Sequence, residues 1–161
     1  MQKCIIEIPK NSYIKYEIED NELWVDRVLT TPMPFPFNYG YIPNTLGEDN
    51  DPLDIVILSE HSLVPGCMLK AKIIGVLDME DEKGVDEKII GTINSERKYE
   101  NINDINQLDK QTLHDIKYFF THYKDNEDNK FSIVKDFHNK NHANNIINRS
   151  INNYKYSTNI N

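Results

Sequence analysis

The chain has 161 residues, 39% of them hydrophobic, and its 18 basic against 26 acidic residues leave a net charge of −8. That length suits one domain with a single core, and the acidic balance would repel a phosphate backbone at long range, which opposes a general nucleic-acid binder. Cys4 and Cys67 stand far apart without metal-site or redox spacing, and no apolar run is long enough for a signal-peptide core or a membrane helix, so the expectation is a reduced, cytoplasmic protein that does not engage a membrane.

In chain order, short apolar or alternating runs predict strands over 4–8, 14–19, 23–29, 53–58, 68–77 and 87–92. Asp20-Asn21 predicts a tight hairpin, Pro65-Gly66 a turn and Lys83-Gly84 the tip of a loop. Residues 31–50 hold Pro32, Pro34, Pro36 and Pro43, which argues against any regular element there and for a stiff, aromatic-rich loop that shapes a site. Farther on, Leu113, Ile116, Phe120 and Tyr123 share one helical face, with Asp109 placed to cap it. A second helix runs through Ala143, Ile146, Ile147, Ser150, Ile151 and Tyr154, in an Asn-rich segment, 138–161, whose last residues are expected to fray. Strands first and helices after predict an α+β fold in one domain, 1–161, with a β-barrel and helices packed on one side of it.

The chemistry concentrates in Asp49-Asn50-Asp51-Pro52-Leu53-Asp54. Three carboxylates so close repel one another unless a cation joins them, and all-oxygen donors favour hard ions such as Mg²⁺, Mn²⁺ or Ca²⁺. An EF-hand loop counted from Asp49 fails, because Leu53 stands at a ligand position and Asp54 where glycine is required. A second acidic run, 78–88, reads by itself as a charged hairpin tip. Lys15 and Glu17 alternate on one strand, Arg27 ends the next, and Tyr123-Lys124 closes the helix. Together these supply what a metal-bridged polyanion needs: fixed cations for its oxygens and carboxylates for the metals. A non-catalytic ion-binding module would leave those cations without a task. An OB-like nucleic-acid binder, suggested by Trp24 and Phe35, lacks a basic aromatic groove.

The motif Asp-x-Asp-Pro-x-Asp at 49–54, with Ile14-Lys15-Tyr16-Glu17, Val25-Asp26-Arg27, Asn38-Tyr39-Gly40-Tyr41-Ile42 and Phe119-Phe120-Thr121-His122-Tyr123-Lys124-Asp125, closely resembles the Mg²⁺-dependent, bacterial-type soluble inorganic pyrophosphatases. The resemblance implies a closed five-stranded OB-like barrel with flanking helices. It also implies hydrolysis of pyrophosphate to two phosphates by in-line attack of a metal-activated water, without a covalent intermediate. Asp49, Asp54, Asp81, Asp86 and Glu17 would hold several Mg²⁺ ions, with Mn²⁺ as a substitute. Asp51 and Asp54 would be catalytic, with Asp51 beside the attacking water. Lys15, Arg27, Tyr39, Lys88, Tyr123 and Lys124 would bind substrate, and Glu7 and Lys130 would complete the cavity. Relatives are commonly homo-oligomers, usually hexamers, to whose contacts the His122 helix contributes. Two departures stand out: Phe35 where the family commonly has tyrosine, and Asp78 where it often has a basic or neutral residue.

Overall fold

A computed structural model describes residues 1–159. Nine strands and two α-helices follow in the order β1 (Gln2–Ile8), β2 (Ile14–Glu19), β3 (Glu22–Val28), β4 (Asn38–Ile42), β5 (Leu53–Leu58), β6 (Met68–Asp81), β7 (Gly84–Val85), β8 (Lys88–Ile93), α1 (Lys110–His122), β9 (Ser132–Asn139) and α2 (Lys140–Asn159). Strand β1 pairs antiparallel with both β4 and β6, β4 with β5, and β6 with β8, while β5 and β8 run parallel. These five strands therefore hydrogen-bond in a closed ring, an α+β arrangement once the helices are added. Strands β7 and β9 attach to β6, and β2–β3 form a separate hairpin. No described helix is long and apolar enough to cross a membrane.

Alternation along the ring strands sorts their side chains to two sides. Val56 and Leu58 of β5 pack with Phe35, Phe37 and the α1 residues Ile116, Phe119 and Phe120. Ile55 and Ile57, from the same strand, pack with Cys4, Ile6 and the α2 residues Ala143, Ile146 and Ile147. The Asp109 carboxylate accepts the Thr112 N–H at 2.8 Å and so caps α1 as expected. Helix α2 buries the anticipated face and is helical to Asn159; the part of the fraying expectation that concerns 160–161 lies outside the described residues. In the β2–β3 hairpin, Asp20 and Asn21 both take positive φ, 52° and 64°, as a two-residue mirror-image turn demands.

Two strands contradict the sequence reading. The prolines of 31–50 were expected to exclude a regular element, yet they flank a proline-free stretch, Asn38–Ile42, whose burial alternates and which β1 and β5 pair on both sides. Residues 132–139, left without an element, form β9 on the free edge of β6. That edge exists because β6 continues through the acidic residues to Asp81, four beyond the expected end at 77.

Gly40 allows the closest approach in the ring. A Cβ there would overlap the Ile5 carbonyl across the β1–β4 pair, and the nearest atoms are all Ile5–Ile6 backbone, which cannot move aside as a flexible side chain would. Gly40→Ala is accordingly expected to lower stability by about 3 kcal/mol or more, read as a fall in the urea midpoint, whereas Trp24→Ala, on the half-exposed hairpin, should change it by no more than about 0.5 kcal/mol.

Candidate active site

Strand register assembles the centre of the site. Tyr41 of β4 lies opposite Asp54 of β5, and Asp54 lies beside Lys88 of β8, so a phenol, a carboxylate and an ammonium form one cross-strand row. The Lys88 side chain is 3% exposed, with Nζ 2.7 Å from Asp54 Oδ2 and 2.9 Å from Asp86 Oδ1. The same ammonium stands 5.5 Å from the centre of the Tyr39 ring and 5.6 Å from that of Phe120. Burial is the largest single influence and opposes its charge, but Asp54, the surrounding phenols and Asp86 together outweigh that cost, and Lys88 stays protonated well above the ordinary lysine range.

Around this row lies a cavity of about 570 Å³. The β2–β3 hairpin sets Lys15 across from Arg27 on one wall. Lys15 Nζ approaches Glu7 Oε2 to 3.5 Å and Asp26 Oδ2 to 3.7 Å. On the opposite wall Lys124, just past α1, binds Asp81 Oδ2 at 3.0 Å and Glu82 at 3.1 Å. Lys130 pairs with Glu127 at the rim, 3.4 Å away. Asp49 and Asp51 come from a compact turn: the Gly47 N–H donates to the Asp51 carbonyl at 2.8 Å and the Asp51 N–H to Asp49 Oδ1 at 3.1 Å, with Asn50 at φ 66°. Buried Thr45 anchors this turn to the ring, accepting the Leu53 N–H at 3.0 Å and donating to the Ile42 carbonyl at 2.5 Å.

Burial leaves several of these acids reluctant to ionise. Glu7 is pushed up to about 7, although Lys15 pulls the other way. Burial likewise raises Asp86 against the pull of Lys88, and raises Asp49. Asp81 differs: its burial is outweighed by hydrogen bonds from Lys124 and from the Lys83 N–H, and it lies below the usual carboxylate range. Burial raises the phenols Tyr39 and Tyr123, which therefore remain hydrogen-bond donors at neutral pH.

Of the residues singled out from sequence, Glu7, Lys15, Arg27, Tyr39, Asp49, Asp51 and Asp54 line this cavity, as do Asp81, Asp86, Lys88, Tyr123, Lys124 and Lys130. Glu17 does not. It is exposed on β2, two residues beyond Lys15 and on the same strand face, where the hairpin has already left the cavity. Phe35 lines the cavity while packing in an aromatic cluster, 4.5 Å from the Phe119 ring and 5.2 Å from that of Tyr39. Sequence reasoning missed Tyr41, which alternation with Tyr39 would have flagged had β4 been expected, and Glu82, which lines the cavity and accepts from Lys124 Nζ at 3.1 Å. The departure at Asp78 lies elsewhere, facing His138 at 4.0 Å on β9.

Carboxylates and cations from six separated chain segments thus share one cavity. Comparison with known proteins gives this arrangement a family. Residues 4–155 match the inorganic pyrophosphatase family. The chain is 49% identical over 154 residues to the inorganic pyrophosphatase of Nanoarchaeum equitans, covering 94% of this chain and 96% of the relative, and 46% identical over 157 residues to that of Helicobacter pylori, covering 94% and 90%. Among solved structures, the Helicobacter pylori inorganic pyrophosphatase superposes with a TM-score of 0.89 at 44% identity over 95% of this chain and 92% of its own. The Thermus thermophilus inorganic pyrophosphatase gives 0.89 at 36% identity, over 95% and 90%. Agreement this extensive, covering every segment that lines the cavity, shows that the chain belongs to the inorganic pyrophosphatase family.

Proposed function

We propose that this chain is an inorganic diphosphatase, a single domain whose ring closes as an OB-like barrel, and that it hydrolyses pyrophosphate to two phosphates in the cavity around Asp54 and Lys88. The observation that carries this reading is the composition of that one cavity, where eight carboxylates and six cations face the same space among the described residues. A pure cation binder has no use for the lysines and Arg27, and a pure anion binder none for the carboxylates. A polyanion that arrives with divalent cations uses both.

The donors fit hard ions. They are all carboxylate oxygens, burial makes Asp49 and Asp86 costly to ionise without a cation nearby, and one cation, the Lys88 ammonium, already stands between Asp54 and Asp86. Mg²⁺, or Mn²⁺ in its place, held by Asp49, Asp54, Asp81 and Asp86, would neutralise the substrate and acidify water. Glu17, on its exposed strand face, is left a part through water only.

The chain's own groups do the rest. Lys15 and Arg27 on one wall, Lys124 and Tyr123 on the other, and Tyr39 at the base hold phosphate oxygens and fix the phosphorus for in-line attack. Asp51, exposed at the mouth beside Asp49, takes the proton of the attacking water as its oxygen bonds to phosphorus and the bridging P–O bond breaks. Lys88, locked to Asp54 and Asp86, sets the positions of both carboxylates. We further propose, from the family resemblance, a cytoplasmic homo-hexamer. His122 is half-exposed at the end of α1, its ring tilted against that of Tyr118 and 2.8 Å from Asp125, which leaves it available for such contacts. Light scattering should give a hexamer mass, and a monomer mass would remove that part of the proposal.

Phosphate release from pyrophosphate is expected with Mg²⁺ and should cease on chelation. Asp54→Asn should lower it by at least about a thousandfold while leaving the protein folded by circular dichroism; release that persists in excess chelator, or an active Asp54→Asn protein, would refute the mechanism. Glu7 generates a pH prediction. Its folded pKa of about 7 exceeds the ordinary value of 4.5, so the folded state holds the extra proton between these values and loses stability as pH rises through that window. Glu7→Gln should therefore stabilise the metal-free protein relative to the parent at pH 8, by on the order of 1–3 kcal/mol, and little at pH 4. Urea melts at the two pH values check this, and an equal effect at both would contradict it.

A further inference from the structure

Helix α2 places none of its described residues in the cavity lining, yet its middle turns are tied to both acidic segments behind that cavity. The Ser150 carbonyl accepts the Leu46 N–H at 2.9 Å, and Asn153 Nδ2 donates to the Leu46 carbonyl at 3.4 Å, so the helix grips the backbone of the turn that carries Asp49 and Asp51. On the residue just before Ser150, Arg149 Nη2 stands 3.3 Å from Glu87 Oε1 and 3.8 Å from Glu48 Oε1. Glu48 directly precedes Asp49, and Glu87 directly follows Asp86. One guanidinium nitrogen therefore spans the two chain segments that present those carboxylates.

Between the segments lies a small crevice lined by Glu48, Asp49, Asp54, Asp86 and Glu87. Five carboxylates around one crevice push the turn and the β7–β8 connection apart. Lys88 answers Asp54 and Asp86 from the inside, and Arg149 answers Glu48 and Glu87 from the outside. The helix can bear the load because Ala143, Ile146 and Ile147 are buried in the core formed by the ring strands.

We infer that Arg149 is a positioning residue for cation binding: from the back of the site it holds the Asp49 and Asp86 segments at the spacing that lets their carboxylates share ions in the cavity. The inference rests on the reading of Asp49 and Asp86 as cation ligands. Two effects of Arg149 have opposite signs, and this makes the role measurable. Its positive charge by itself disfavours a nearby cation, but half-exposed and screened it changes affinity by less than about fivefold. Its bracing favours the cation, and groups that orient metal ligands typically alter affinity by about 10–100-fold. One residue further removed, Arg149 should contribute about three- to tenfold.

Calorimetric titration with Mg²⁺ alone, without pyrophosphate, separates the two. Arg149→Met is expected to weaken Mg²⁺ binding about three- to tenfold, Arg149→Lys to fall between it and the parent, and melting in chelator to stay within a few degrees. An Arg149→Met protein that binds Mg²⁺ as well as or better than the parent would show that only the charge matters and would overturn the inference. Should Arg149→Met melt early, Glu87→Gln removes the same contact from the other side, and Arg149→Met/Glu87→Gln should bind Mg²⁺ no more weakly than Glu87→Gln. Full additivity would also overturn it. A parent that binds Mg²⁺ but releases no phosphate from pyrophosphate would instead refute the hydrolase reading alone.

Discussion

The buried Lys88 ammonium between Asp54 and Asp86 is the contact on which the site depends. Desolvating an ammonium and two carboxylates costs several kcal/mol per ion, and contacts of 2.7 and 2.9 Å with two acids, plus the faces of Tyr39 and Phe120, offset that cost. A hydrophobic residue at position 88 would satisfy the core as well, so the retained charge points to the cavity and not to stability. With Lys88 protonated, Asp54 and Asp86 stand side by side at the cavity floor. Without it, two partly buried like charges, one on β5 and one on the β7–β8 connection, would stand unpaired beside each other.

The ring supplies the rigidity that this contact requires. Asp54 and Lys88 are neighbours because β5 and β8 run parallel, and Tyr41 joins them because β4 can approach β1 closely at Gly40. The surrounding walls are built differently. The Lys15–Arg27 wall belongs to a hairpin outside the ring, and the Lys124 wall follows the C-terminus of α1. Asp54 and Lys88 thus sit on ring strands, whereas Lys15, Arg27 and Lys124 come from elements outside the ring. This division suits a reaction in which positioning and electrostatics supply most of the acceleration.

Charge is balanced locally and not globally. The whole chain carries −8, yet nearly every acid of the cavity has a cation within reach: Glu7 has Lys15, Asp81 and Glu82 have Lys124, and Asp86 has Lys88. Asp49 and Asp51 are the exceptions, held only by backbone geometry. They sit at the mouth, where the proposed cations would meet them first.

Much of this was legible in the sequence because it is written in local rules. The hairpin at Asp20-Asn21 follows from two residues that tolerate positive φ, the α1 cap from an aspartate three residues before Thr112, and the buried face of α2 from its 3.6-residue period. The Asp49, Asp51 and Asp54 spacing marked the site, and the family resemblance extended it to residues that lie together in the cavity. Other features depend on partners far along the chain. Strand β4 forms among prolines because β1 and β5 pair it from both sides, and β9 forms because β6 extends far enough to offer an edge. Glu17 falls outside the cavity because its hairpin turns away. Turns, caps and helix faces are decided by interactions over a few residues, which the sequence by itself determines. Strand pairing, and the meeting of Lys88 with an aspartate 34 residues away, draw their free energy from long-range contacts that exist only once the ring has closed, so the tertiary structure alone decided them.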